Sequence, residues 1–209
     1  GKMPYDSILV SMIQLSNHDH SRFLTRTNGI VGRINSHKSE DAKSGVKLEV
    51  MRQAIMMQIT LPGAPTVYYG DEVGVCGFTD PDSRRTYPWG NENLELLEYH
   101  RYMNKWHRIR KELKTGSLIR LISTGGVVCY ARVLKDNISV VIINAGEYTA
   151  KTDIPLYLTG MRDNAVISRV IYTNKVGYNV GRVTYINDNG YLNFEIEPHS
   201  GYLLVSENL

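Results

Sequence analysis

Cysteine is scarce in this sequence: 209 residues hold two, Cys76 and Cys129. Neither falls in a metal-ligand spacing, and two distant cysteines do not make a disulfide framework. Cys129 lies in an alternating apolar pattern and reads as a small core residue. Long apolar runs are missing as well. The most apolar stretch, Ala54–Leu61, is interrupted by Gln58 and Thr60, so nothing resembles a membrane span. The opening Gly1–Asp6 has no apolar segment behind a basic start, which says nothing of a longer precursor. Charge of one sign is lacking too: 24 Lys and Arg stand against 21 Asp and Glu. One basic run, Arg101–Lys114, reads as the solvated face of a helix. No nucleic-acid-binding signature accompanies it, so nucleic acid is excluded as a partner.

The chain is long enough for one large domain or two modest ones with real cores. Its pattern changes near residue 115. Before that point the signals are helical. Leu48, Met51, Ile55 and Ile59 recur at helical spacing within 40–61, and Leu61-Pro62-Gly63-Ala64-Pro65 stops the helix. Thr66–Tyr69 reads as a short buried strand, and so does the apolar Ile8–Leu15. A long polar loop, 71–91, precedes a second helix over 93–113, with Leu94, Leu97, Tyr102, Trp106, Ile109 and Leu113 as its apolar face. This order has the rhythm of β/α units. After residue 115 the pattern is one of short strands: 127–134, 138–144, 166–172, 183–186, 191–196 and 202–205. Gly125-Gly126, Lys135-Asp136-Asn137 and Asn187–Gly190 supply turn chemistry between them. An antiparallel sandwich or barrel is expected there.

The chemistry concentrates in Asn17-His18-Asp19, followed by Arg22. In a β/α barrel, strand C-termini present the active groups. A carboxylate there, Asp19, could bridge sugar hydroxyls and stabilise an oxocarbenium-like state. His18 could donate to a hydroxyl, and Asn17 and Arg22 could orient the carboxylate. Alone, the tripeptide reads rather as a turn, with Asp19 as a cap. Two later segments bear on this choice: Pro62-Gly63-Ala64-Pro65-Thr66-Val67-Tyr68-Tyr69-Gly70-Asp71-Glu72, and Asp80-Pro81-Asp82-Ser83-Arg84-Arg85 with Tyr87-Pro88-Trp89.

In order and spacing, the three segments resemble the end of the catalytic barrel in the α-amylase superfamily. The last segment is similar to the neopullulanase, cyclomaltodextrinase and maltogenic amylase subgroup. The resemblance implies a fold: residues 1–115 as the last strands and helices of a (β/α)8 TIM barrel, then 116–209 as an antiparallel β-sandwich. It implies hydrolysis of α-glucosidic bonds by a retaining mechanism. Asp19 would be the transition-state stabiliser, with His18 beside the same sugar and Asp80 and Arg84 on the next one. Asn17, Arg85 and Trp89 would be weaker binding candidates, while Asp71 and Glu72 would support the barrel end. No cofactor is implied for this chain; any calcium site would lie upstream.

A retaining hydrolase needs a nucleophile and an acid/base roughly 5 Å apart. In this family both precede Asn-His-Asp. Ahead of Asn17 the sequence holds a single acid, Asp6. The chain alone is therefore expected to be inactive. Its partners would be an α-glucan oligosaccharide and the upstream barrel segment, with a homodimer as another cover for the open barrel face. The competing expectation is a non-catalytic carbohydrate-binding or assembly module, in which Asp80, Arg84 and tyrosines bind glucan without turnover. Tyrosine is also common in half-buried strands, and packing accounts for most of the fourteen.

Overall fold

The computed structural model describes residues 3–30 and 37–207. The first elements are helix α1 (Tyr5–Leu9) and strand β1 (Met12–Gln14), then a single helical turn, α2 (Phe23–Arg26). The strand expected over Ile8–Leu15 is thus a helical turn followed by a three-residue strand. Helix α3 (Leu48–Thr60) starts later than expected. Residues Ser39–Lys43 form a separate 3-10 turn, and Gly45, at φ +66°, breaks the path between the two. Met51, Ile55 and Ile59 are fully buried, as their spacing predicted. Strand β2 (Ala64–Thr66) pairs in parallel with β1, Met12 opposite Ala64 and Gln14 opposite Thr66. It stops at Thr66 rather than Tyr69, and Val67 and Tyr69 beyond it are exposed rather than buried.

Helix α4 (Leu94–Ile109) is capped by Asn93, whose side chain accepts from the Leu96 N–H at 3.0 Å. It does not run to Leu113. Arg110 adopts extended backbone, and a short helix α5 (Lys111–Thr115) follows. The buried face also differs from expectation. Leu96, Tyr99, His100 and Met103 point inward, while Leu94 and Ile109 are 65% and 52% exposed. The register is pinned by Tyr99, whose hydroxyl donates to the Arg52 carbonyl of α3 at 3.0 Å.

Residues beyond 116 form strands β3 (Ser117–Thr124), β4 (Val127–Leu134), β5 (Asn137–Asn144), β6 (Ala150–Pro155), β7 (Val166–Thr173), β8 (Tyr178–Asn179), β9 (Val183–Ile186), β10 (Tyr191–Ile196) and β11 (Ser200–Ser206). Seven of them make one antiparallel sheet in the order β3-β4-β5-β11-β7-β8, with β9 also on β7. The other two, β6 and β10, pair as an antiparallel ribbon. Gly125 and Gly126, at φ +56° and +83°, close the β3–β4 hairpin, a turn that calls for left-handed backbone at both positions.

The sheet is buried on both faces, and its side chains alternate between two cores. Tyr130, Val141, Ile143, Leu203 and Val205 face α3 and α4, beside Met51, Ile55 and Met56. Cys129, Val140, Ile142, Tyr202 and Leu204 face the ribbon, with Ile154, Leu192 and Phe194. Buried polar side chains tie the helices to the sheet. Gln53 of α3 donates to the carbonyls of Asn144 and Ser200 at 2.9 and 3.0 Å. Arg52 reaches Thr173 at 2.8 Å and the Asn174 carbonyl at 2.7 Å. Arg132 of β4, wholly buried, donates to the carbonyls of Thr60, Leu113 and Gly116 at 2.7, 3.0 and 2.9 Å. One guanidinium thereby satisfies chain ends left open where α3 and α5 stop.

Candidate functional site

Past β1 the chain turns sharply at Asn17. Its side-chain oxygen accepts from the N–H groups of Asp19 and His20 at 2.9 and 3.1 Å. The turn reading of the tripeptide therefore holds, with Asn17 rather than Asp19 as the capping group. Its effect is to leave His18 and Asp19 projecting into solvent. Their side chains are 57% and 65% exposed, and His18 Nε2 lies 3.3 Å from Asp19 Oδ1.

Arg22 does not orient Asp19, contrary to expectation. It is fully buried, and its Nη1 donates to the Tyr69 carbonyl at 2.6 Å and to Asp71 at 3.1 Å. Its Nε donates to the Ser83 carbonyl at 2.8 Å. The guanidinium lies over the rings of Tyr68 and Tyr69, 4.0 and 4.7 Å from their centroids. Burial drives the Asp71 carboxyl above its usual range, and Ser16 and Arg22 offset this only in part. Asp71 is thus a buried anchor rather than an exposed acid.

The loop after β2 is fastened beside the Asn17 turn. Ser83, buried, donates to the His18 carbonyl at 2.8 Å, and the Gly77 carbonyl accepts from the Arg22 N–H at 2.9 Å. Gly77 is required for the approach, since a Cβ there would sit 2.4 Å from the Asp82 carbonyl oxygen. Asp80 and Arg84, both half exposed, form an ion pair four residues apart. Arg84 is held above its ordinary value first by its hydrogen bond to Asp80, then by the charges of Asp80, Tyr68 and Asp19. Four exposed groups, His18, Asp19, Asp80 and Arg84, thus stand on two loops that Ser83 fastens together.

Asp82 and Arg85 stay behind them. Arg85 pairs with Asp82 at 2.7 Å and donates to the Ser39 carbonyl at 2.6 Å. Burial opposes ionisation of Asp82. Bonds from Arg85, the Phe78 N–H and Ser39 outweigh it and hold the carboxyl below its usual range. Trp89 is 80% exposed and rests on Tyr87, with ring centroids 4.4 Å apart; no contact brings it to Asp19 among the described residues. Sequence reasoning missed Ser83 and Tyr68. A serine between charged residues carries no signal of the loop it ties. Among the described residues, no three His, Cys, Asp or Glu side chains converge to hold a metal ion.

The exposed cluster can offer one carboxylate to developing positive charge and several planar polar groups to hydroxyls. Residues 3–119, more than half of the chain, match the family model of the α-amylase catalytic domain. An amylopullulanase of Thermoanaerobacter thermohydrosulfuricus is 31% identical over 70% of the chain and 10% of its own length. A cyclomaltodextrinase of Thermoanaerobacter pseudethanolicus is 29% identical over 95% of the chain and 29% of its own length. The chain thus spans less than a third of either relative. Its fold is similar to that of an α-amylase from Geobacillus thermoleovorans complexed with acarbose, at TM-score 0.75 and 19% identity, over 96% of the chain and 39% of the enzyme. The motif resemblance is borne out: this chain belongs to the α-amylase catalytic-domain family.

Proposed function

We propose that the chain is the C-terminal part of a retaining α-glucan hydrolase, acting on α-glucosidic bonds of maltooligosaccharides, cyclodextrins or pullulan. The observation that carries this reading is the fastening of two loops by Ser83 to His18. It ties the turn that carries Asp19 to the loop that carries Asp80 and Arg84, close enough for the Asp19 charge to act on Arg84. In this reading Asp19 stabilises the oxocarbenium-like transition state. His18 donates to hydroxyls of the same sugar, and Asp80 and Arg84 hold the next. Asn17 shapes the turn that presents Asp19.

Residues up to 115 are read as the last β/α units of a (β/α)8 barrel, and 116–209 as the appended sandwich. Parallel strands are normally buried on both sides and flanked by neighbours. Here β1 and β2 pair only with each other among the described residues, and Met12 and Val67 are 63% and 38% exposed. Nearby, a cleft of about 360 Å³ is lined by Val67, Tyr69, Glu72 and His100. Both His100 ring nitrogens and Glu72 Oε2 are buried there without a partner. This is the surface that the upstream barrel segment would cover, bringing the nucleophile and the acid.

The test is reconstitution. The chain is co-expressed with the upstream part of a related barrel, and reducing-sugar release from maltooligosaccharide is measured. Asp19→Asn is expected to lower kcat/KM at least about a hundredfold, the scale for removing a group that stabilises transition-state charge. Unchanged activity in that variant would exclude the role given to Asp19.

A further inference from the structure

On the face of the sheet away from α3, the core beneath the ribbon reaches the surface through a run of aromatic rings. Tyr172 and Tyr202 have centroids 4.9 Å apart, Tyr202 and Phe194 5.1 Å, and Phe194 and Tyr185 5.2 Å. Phe194 and Tyr202 are buried and form a floor. Tyr172 of β7 and Tyr185 of β9 are half-buried and stand at the edges. The space they bound is a cleft of about 270 Å³. That is just below the roughly 300–1,000 Å³ of ligand pockets and suits one sugar ring rather than a long segment.

Three charged groups of both signs, Arg169, Glu195 and Glu197, line this cleft. Glu197 is exposed, with Oε2 fixed by the Tyr172 hydroxyl and its backbone N–H donating to the Tyr202 hydroxyl at 3.1 Å. The Tyr172 hydroxyl in turn accepts from Asn174 at 2.7 Å. Arg169 lies 5.5 Å from the Tyr172 ring centroid and donates through Nη2 to the Gly181 carbonyl at 3.3 Å. Its Nε is buried with no acceptor. The guanidinium lines the cleft and presents a positive charge to it.

An anion would satisfy Arg169 but meet Glu197, and Glu195 also lines the cleft. A cation would satisfy the carboxylates but meet the positive charge of Arg169. A hydroxyl both donates and accepts, so a neutral polyol meets both demands at once. Tyrosine edges and faces suit the apolar C–H surface of a pyranose. We propose that this cleft is a second, non-catalytic sugar-binding site, seating one ring of an α-glucan against Tyr172 and Tyr185 with hydroxyls between Arg169 and Glu197. The choice of α-glucan rests on the function proposed above. It would keep a polymeric substrate on the enzyme between cleavage events.

The test is maltoheptaose titration of the intact chain by calorimetry, with retardation in amylose-containing gels as a second readout. Tyr185→Ala removes one wall of the cleft. Glu197→Gln is the companion variant, because an exposed amide of the same size leaves the fold intact. Each is expected to weaken binding about tenfold, the loss of one charge-assisted bond or one stacking face. Asp80→Ala removes a group of the proposed donor subsites, and it is expected to leave a binding component that Tyr185→Ala and Glu197→Gln still weaken. Binding lost in Asp80→Ala and kept in both cleft variants would overturn this site while leaving the proposed function standing. No binding by the unmodified chain would also overturn it, because the cleft is complete within these residues. Reconstituted hydrolysis would still test the catalytic reading separately.

Discussion

Arg22 illustrates how a residue next to a motif can be legible in type and wrong in role. A cation three positions after Asp19 invites pairing with it. The chain instead turns Arg22 inward, where two tyrosine rings, two carbonyls and Asp71 enclose it. Arg22→Ala would leave the Asp71 carboxyl buried and uncompensated and cost about 3–5 kcal/mol in denaturant unfolding. Arg22→Lys is not expected to restore this, since an ammonium cannot supply the planar fork or the stacking. That Asp19, His18, Asp80 and Arg84 are exposed polar groups on loops agrees with the motif, while their roles on a sugar are part of the proposed function. Ser83 was not legible, because its bond to His18 spans 65 residues. His100 gives a pH test. Burial lowers its pKa to about 4, against about 6.5 in an unfolded chain. The folded state therefore binds fewer protons than the unfolded state between these values. Stability is full above about pH 6.5 and falls as the pH drops toward 4, by on the order of 3 kcal/mol from this group. His100→Leu should flatten that part of the stability–pH curve.

At the scale of elements, several strands were legible almost to the residue, whereas β3, despite Leu118, Ile119, Leu121 and Ile122, was not read as a strand. Val127–Leu134, Val183–Ile186 and Tyr191–Ile196 match the observed bounds. The polar β6 was missed because its inward positions, Ala150, Thr152 and Ile154, include one large apolar residue, so the alternation of its burial leaves little trace in hydropathy. The break between α4 and α5 was hidden because the apolar pattern continues across Arg110. Its cause is tertiary: Arg110 turns to pair with buried Glu112 and donates to the Ile138 carbonyl at 3.0 Å. Arg132 is the counterpart in β4, serving carbonyls at the ends of two helices, and burial lowers its pKa below the ordinary arginine value. Arg132→Met should destabilise the chain by roughly 3 kcal/mol in chemical denaturation, because several buried carbonyls lose their donor together.

For the whole molecule, the sheet is closed on both faces and the helices beside it are well buried, while the β1–β2 pair is open. Met12 of β1 is 63% exposed and Val10, just before the strand, is 78% exposed, and we propose this face as an association surface. In light scattering the isolated chain should show self-association that Met12→Lys and Val10→Lys reduce. A monodisperse monomer would count against an uncovered barrel face. The family was legible because three motifs stand in order. The division near residue 115 was legible in composition, yet the core does not respect it: Met51 and Ile55 of α3 pack with Val141 and Leu203 of the sheet. The central claim is that this chain carries the transition-state stabiliser but not the nucleophile or the acid. The most direct measurement is maltose release from maltooligosaccharides and cyclodextrin by the purified chain, beside its Asp19→Asn variant. No release by either protein is the expected result. Turnover by the unmodified chain that Asp19→Asn abolishes would mean that a complete catalytic site lies within these 209 residues, and the claim would be wrong.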